Sequence, residues 1–325
     1  MASTRAPAAP AGVDRYAVLH GLRFHYREWG EHDAPAVLVL HGLLGHCREW
    51  DTLDAGLARR FRVLAPDQRG HGESDRTAAY NAAALAADVT DLARRLDLPR
   101  LHLVGHSMGG LAALLTAADD HDLVERLVLL DVGPDSLTTP WAREALPTML
   151  RGLRDVTYGD PDEAVRDWLD GDPLAREALV RHVVAHNLIR RADGRLAWRF
   201  DADGLTGFVA GAAGEDDLWQ AVDRVAAPTL LVRGRHSELL SQATAARMVD
   251  RLADAAFAEI PDAAHDLAVQ NPEAVTTAVL SFLSRCPRGG TGGPHQPRAV
   301  RRAWTLGPSS GSPVKVFRAD DSTSA

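Results

Sequence analysis

Six short apolar runs punctuate the chain, separated by segments in which apolar residues recur at helical spacing. The runs are 36–40, 62–67, 101–104, 126–131, 229–233 and 256–260. Each is continuous rather than alternating, as expected of strands covered on both faces of a sheet. Before them, residues 16–29 alternate apolar and polar about His20-Gly21, the pattern of a β-hairpin. Residues 81–96 carry Leu85, Val89, Leu92 and Leu96 on one helical face. Strand and helix signals in alternation predict βαβ units and a mostly parallel sheet.

The pattern changes near Pro134. From Pro140 to Leu153 the spacing predicts a helix. Asp160-Pro161-Asp162-Glu163 supplies a cap residue, a proline at the first helical position and an acid in the first turn of a second. Asp172-Pro173 is expected to open a third, carrying Leu174, Leu179, Val183, Val184 and Leu188. Buried strands do not interrupt this stretch, so 138–218 is expected to be a helical insertion between two halves of a core, 15–137 and 219–286. Residues 1–14 are rich in Ala and Pro and read as a flexible N terminus. The segment 287–325, rich in Gly, Pro, Ser and Arg without periodicity, reads as a disordered tail.

Composition removes several classes of function. A net charge of -8, with arginines scattered rather than clustered, argues against a nucleic-acid partner. Lys315 is the only lysine, which together with abundant alanine looks more like base composition than function. No apolar run approaches membrane-spanning length, and the first residues lack the apolar core of a signal peptide, so a cytoplasmic protein without a membrane partner is expected. Cys47 and Cys286 are too few for a disulfide framework and are expected to be free thiols. His41, His46 and Cys47 cluster without zinc-type pairing elsewhere, and neither a dinucleotide fingerprint nor a P-loop is present. Metal and cofactor are therefore not expected.

The chemistry concentrates at Gly105-His106-Ser107-Met108-Gly109, between the 101–104 strand and an alanine-rich helix. This is the G-x-S-x-G nucleophile elbow, whose sharp turn raises the serine hydroxyl at a helix N terminus where developing negative charge is favoured. A serine hydroxyl is a weak nucleophile at neutral pH and needs a base within hydrogen-bond reach.

His41-Gly42 after one strand, Asp67-x-Arg69-Gly70-x-Gly72-x-Ser74 after the next, the Ser107 elbow and a late His265 follow in order. In these motifs the chain resembles the α/β-hydrolase superfamily over about residues 16–285. The resemblance implies a mostly parallel central sheet with helices on both faces and an inserted helical cap. It implies His265 as the base, and an oxyanion hole from the amides of Leu43 and Met108 behind His41 and Gly42. The acid is open between two places. The commoner position, third after Gly234, holds Ser237, with Glu238 one residue late; the other position, ending the strand after the elbow helix, holds Asp131. Asp131 is favoured, with Ser237 joining its network. Asp67 to Ser74 reads as a structural turn, and Trp141, Trp168, Trp198 and Phe200 as an apolar lid. The expected activity is hydrolysis of a small to medium carboxylic ester through an acyl-enzyme. A lactonase, C–C bond hydrolase or acyltransferase with the same triad, or a non-catalytic ligand-binding relative, remain as alternatives.

Overall fold

Successive side chains of each central strand point to opposite faces, and here both sets are apolar. Val37 and Val39 enter one buried cluster, while Leu38 and Leu40 enter another on the far side. That double burial requires helices on both faces. The computed structural model describes residues 12–139, 141–210 and 214–285. In chain order they form β1 (Val13–Leu19), β2 (Leu22–Trp29), β3 (Ala36–Leu40), α1 (Asp51–Leu57), β4 (Arg62–Pro66) and α2 (Ala82–Arg95). Then come β5 (Leu101–His106), α3 (Ser107–Asp119) and β6 (Val124–Leu130). After β6 a π-helical turn at Trp141–Ala145 leads into α4 (Leu146–Leu153), α5 (Pro161–Gly171), α6 (Glu177–Asn187), β7 (Leu188–Arg190) and β8 (Leu196–Trp198). Next are α7 (Ala202–Ala210), α8 (Glu215–Arg224), β9 (Thr229–Gly234) and α9 (Gln242–Arg251). Last come β10 (Ala255–Ile260), α10 (Leu267–Gln270) and α11 (Pro272–Leu283).

The eight-stranded sheet has the order β1-β2-β4-β3-β5-β6-β9-β10. The β1–β2 and β2–β4 pairs are antiparallel, and every other pair is parallel. All the parallel strands therefore end at one edge, where the loops after β3, β5, β6, β9 and β10 converge, the usual place for a site in such sheets. Helices α2, α3, α8 and α9 cover one face, and α1 and α11 cover the other. Helix α3 is buried almost all round, because the sheet, α2 and α8 enclose it.

Several boundaries differ from the sequence reading. β1 begins at Val13, so the last two residues of the expected flexible stretch 1–14 join the sheet edge. Helix α8 starts at Glu215 and sends Leu218, Trp219 and Val222 into the same layer as α3, so a core boundary at 219 falls inside a core helix. The third insertion helix begins at Glu177 rather than at Asp172-Pro173. Asp172 instead ends α5 and accepts from Gln270 Nε2 at 2.8 Å, a tertiary contact that its spacing does not announce. Pro140, Cys286 and the 287–325 tail lie outside the described residues. Within the insertion, Trp168, Trp198 and Tyr158 pack with α5, α6 and Val269 of α10. Phe200 joins the main core, and Trp141 is 45% exposed.

One buried carboxylate ties the loops at the sheet edge together. Asp67, directly after β4, accepts from His25 Nδ1 at 2.7 Å, Cys47 N–H at 2.7 Å and Glu73 N–H at 2.8 Å. Burial alone would push its pKa up, but these donors and the charge on His25 hold it well below the carboxylate range. Asp67→Ala leaves His25 and two amides without their partner, and loss of about 3–5 kcal/mol in urea or guanidinium melts is expected. In the wild type that stability is complete above the unfolded aspartate pKa of about 4 and is lost as pH falls through the lower folded value.

Candidate functional site

Ser107 stands at the junction of β5 and α3 with φ +49°, a left-handed conformation that costs a non-glycine residue energy. The turn survives because its neighbours leave no room for anything but glycine. A Cβ on Gly105 would lie 2.4 Å from Gly109 O, and one on Gly109 would lie 2.5 Å from His41 O. This geometry lifts the Ser107 side chain off the sheet. It also places the Met108 N–H in the first turn of a helix, where backbone donors have no intrahelical acceptor.

His265 follows β10 and faces that hydroxyl, with Nε2 2.9 Å from Ser107 Oγ. Its Nδ1–H donates to Asp131 Oδ2 at 2.8 Å, which fixes the tautomer and leaves the Nε2 lone pair for the serine proton. Asp131 follows β6 directly, is fully buried and has φ +49°. Its remaining lone pairs are used as well: Oδ1 accepts from Gly234 N–H at 2.9 Å and Oδ2 from Ser237 Oγ at 2.6 Å. Ser237 Oγ in turn accepts from the N–H groups of Leu239 and Leu240. The structure thus brings Asp131 and Ser237 to His265, while the Glu238 side chain is exposed.

Electrostatics separate His265 from the histidines around it. Burial presses its pKa down, but the hydrogen bond and charge of Asp131, with Asp266 and Glu49 adding, leave it above the ordinary value. The others are driven the opposite way, chiefly by burial. His41 falls to about 3, with His71 adding, and His46 and His71 fall to about 4. His106 is also held well below its usual range, and its Nε2–H donates to the His265 carbonyl at 2.9 Å. Neutral rings can both donate and accept, and His41, His46 and His71 do. His41 donates from Nδ1 to Gly42 O at 2.7 Å and accepts Gln68 N–H on Nε2 at 2.9 Å. His71 donates to Arg69 O and accepts the Leu44 N–H on Nε2 at 3.2 Å.

The loop bearing Gly42 and Leu43 is therefore held by ring nitrogens from two directions, and Gly42 itself packs against His106 and Ser107. Three contributors to this surround lie outside the sequence reading. His71 lies within a motif taken as merely structural. Asn187 ends α6 and donates from Nδ2 to Leu44 O at 2.8 Å. Glu49 carries a carboxyl that burial, with Asp266 adding, pushes up to about 8. None has a local signal, because each acts through a fold contact.

Among the described residues, His25, Cys47 and Asp67 are the one group with ligand-like spacing. Their donors and acceptors are spent on one another and on backbone amides. Burial also raises the Cys47 thiol well above its usual pKa, which disfavours the thiolate a metal needs. His41 and His46 are likewise engaged with backbone groups. No described helix is long and apolar enough to cross a membrane.

Comparison with known proteins places this geometry in context. A family model described as alpha/beta hydrolase fold matches residues 35–272. The 3-hydroxybutyrate-oligomer hydrolase of Cupriavidus necator is 30% identical over 296 residues, covering 84% of this chain and 94% of that protein. The sn-1-specific diacylglycerol lipase of Mus musculus is 29% identical over 264 residues, covering 78% of this chain and 83% of that protein. Among solved structures, E-2-(acetamidomethylene)succinate hydrolase superposes with a TM-score of 0.76 at 26% identity, covering 85% of this chain and all of its own. With the family model spanning both halves of the sheet and the elbow between them, this chain belongs to the α/β-hydrolase family and is an enzyme of that family.

Proposed function

We propose that the protein hydrolyses a carboxylic ester through an acyl-enzyme on Ser107. The observation that carries the reading is the unbroken hydrogen-bond chain from Ser107 through His265 to Asp131. As the hydroxyl attacks the ester carbonyl, its proton passes to His265 Nε2, and the imidazolium that forms faces the buried Asp131 carboxylate. The tetrahedral oxyanion is received by the N–H groups of Met108 and Leu43, preorganised donors worth roughly 3–4 kcal/mol each. His265 then returns its proton to the leaving alcohol, and a water activated by the same ring releases the acid.

Ser237 and the Gly234 amide are assigned to orient Asp131, since both bond to its carboxylate from outside the reacting line. The segment between β6 and α8 is assigned as a cap. Its small core of α5, α6 and the β7–β8 hairpin joins Val269 of α10, just past His265. The names of the two curated relatives favour esters among the bonds such a triad can cleave.

Ser107→Ala is expected to fold as the wild type and to lose at least about a thousandfold in p-nitrophenyl ester turnover. Retention of most activity in the purified variant rules the reading out. A fluorophosphonate probe is expected to label the wild type at Ser107 by peptide mass mapping.

The two carboxylates separate in the same assay. Asp131→Asn preserves the fold and cuts turnover by orders of magnitude, because the amide favours the wrong imidazole tautomer. Glu238→Gln is expected to stay within about twofold of wild type, as an exposed change away from such features. The reverse pattern makes Glu238 the acid.

The pH profile follows from the raised pKa of His265. The base works only when neutral, so kcat/KM falls as pH drops through a pKa above the ordinary histidine value of about 6.5. An acid limb centred below that value contradicts the Asp131–His265 coupling.

A further inference from the structure

Leu44 lies at φ +69° in the loop after β3, where a β-carbon is crowded. It is the third residue of a four-residue turn closed by Gly45 N–H to Gly42 O at 3.2 Å, a position where positive φ normally calls for glycine or asparagine. Two side chains from opposite sides hold it there. His71 Nε2 accepts its N–H, and Asn187 Nδ2 donates to its carbonyl at 2.8 Å. Asn187 is 1% exposed, and its Oδ1 has no protein partner, so the buried amide is committed to its donor end.

We infer that Asn187, reaching across from α6, is a positioning residue for the oxyanion hole. The inference rests on the serine-hydrolase reading above, in which Leu43 N–H is one of the two oxyanion donors. The Gly42 carbonyl and the Leu43 N–H share one planar peptide unit and point in opposite directions. Gly42 O is fixed by His41 Nδ1–H and by Gly45 N–H. The second of these bonds exists only while Leu44 stays left-handed. If Leu44 relaxes toward an ordinary conformation, the turn opens, the peptide unit is free to rotate, and the Leu43 N–H leaves its aim. Asn187 thus sets the hole from the proposed cap, 143 residues along the chain from the loop it holds.

A rival account is that Asn187 only fastens the cap. The neighbouring link from α6, His182 Nε2 to Asp51 Oδ2 at 3.0 Å, allows a direct comparison because it fastens α6 without touching Leu44. Asn187→Ala is expected to lower kcat by about ten- to a hundredfold with little change in KM. It should weaken inhibition by an alkyl trifluoromethyl ketone, which forms a tetrahedral adduct, by the same factor as kcat/KM. His182→Ala is expected to leave both within about twofold. In a Leu44→Gly background, where the left-handed conformation costs little, Asn187→Ala should lose markedly less than in the wild type.

Equal losses in Asn187→Ala and His182→Ala, additive losses with Leu44→Gly, or a change in KM alone overturn the inference. Circular dichroism and the melting temperature verify that Asn187→Ala is folded. If it is not, the Leu44→Gly single variant and its double with Asn187→Gln carry the same test. Failure of the serine-hydrolase reading is seen separately, as absence of fluorophosphonate labelling at Ser107 in the wild type.

Discussion

The close approach of two backbones at the edge of the sheet governs everything built there. The elbow after β5 lies against the loop after β3 so tightly that a β-carbon on Gly109 would sit 2.7 Å from Leu40 Cβ. That contact aligns the N terminus of α3 with the Gly42–Gly45 turn. It also puts Ser107 where a loop leaving the sheet two strands beyond β6 can reach it. Widening the gap by one side chain separates the serine from both its candidate base and its candidate anion donors. The left-handed Ser107 is the local strain that accompanies this proximity, and the buried strands on either side keep it from relaxing.

A second constraint is electrostatic. Four buried histidines, His41, His46, His71 and His106, line the loops about the site, and burial lowers the pKa of each. Held neutral, His41, His46 and His71 each donate from one ring nitrogen and accept a backbone N–H on the other, while His106 donates to the His265 carbonyl. At His41, His46 and His71 a second ring proton would face a backbone N–H instead of an acceptor. Among these five only His265 has a buried carboxylate within hydrogen-bond distance of its ring, and only its pKa moves up. One residue type thus serves as scaffold and as candidate base according to its nearest partner.

The parallel part of the sheet was legible because its strands are largely apolar on both faces, the hairpin because it alternates, and the elbow because its glycines are local to Ser107. His265 could be singled out from the sequence as the candidate base by its place after the last strand, and its ring does face Ser107. The choice between Asp131 and Glu238 could not be completed there, because a carboxylate's partner depends on how β6 and β9 pair across the sheet. Ser237 was legible only as the residue at the usual acid position; its bond to Asp131 is a product of that pairing. Asp172 misled because a residue with good capping chemistry was claimed by Gln270 across the fold. Asn187 gave no signal, being one polar residue at the end of an amphipathic helix. Residues of this kind become visible only when the contact that uses them is in view.

The Asp131 site also bears on how such proteins diverge. Its backbone N–H bonds to Val232 O, and its carboxylate meets the Gly234 amide and the Ser237 hydroxyl, so the ends of β6 and β9 meet at one point in space. An imidazole senses the position of an oxygen and not the strand that delivers it. A carboxylate can therefore migrate from one strand end to the other over evolutionary time without moving the histidine or the serine. In this chain Ser237 donates to that shared point from the end of the neighbouring strand. A substitution at either strand end can then change which strand supplies the oxygen while the place of that oxygen stays the same.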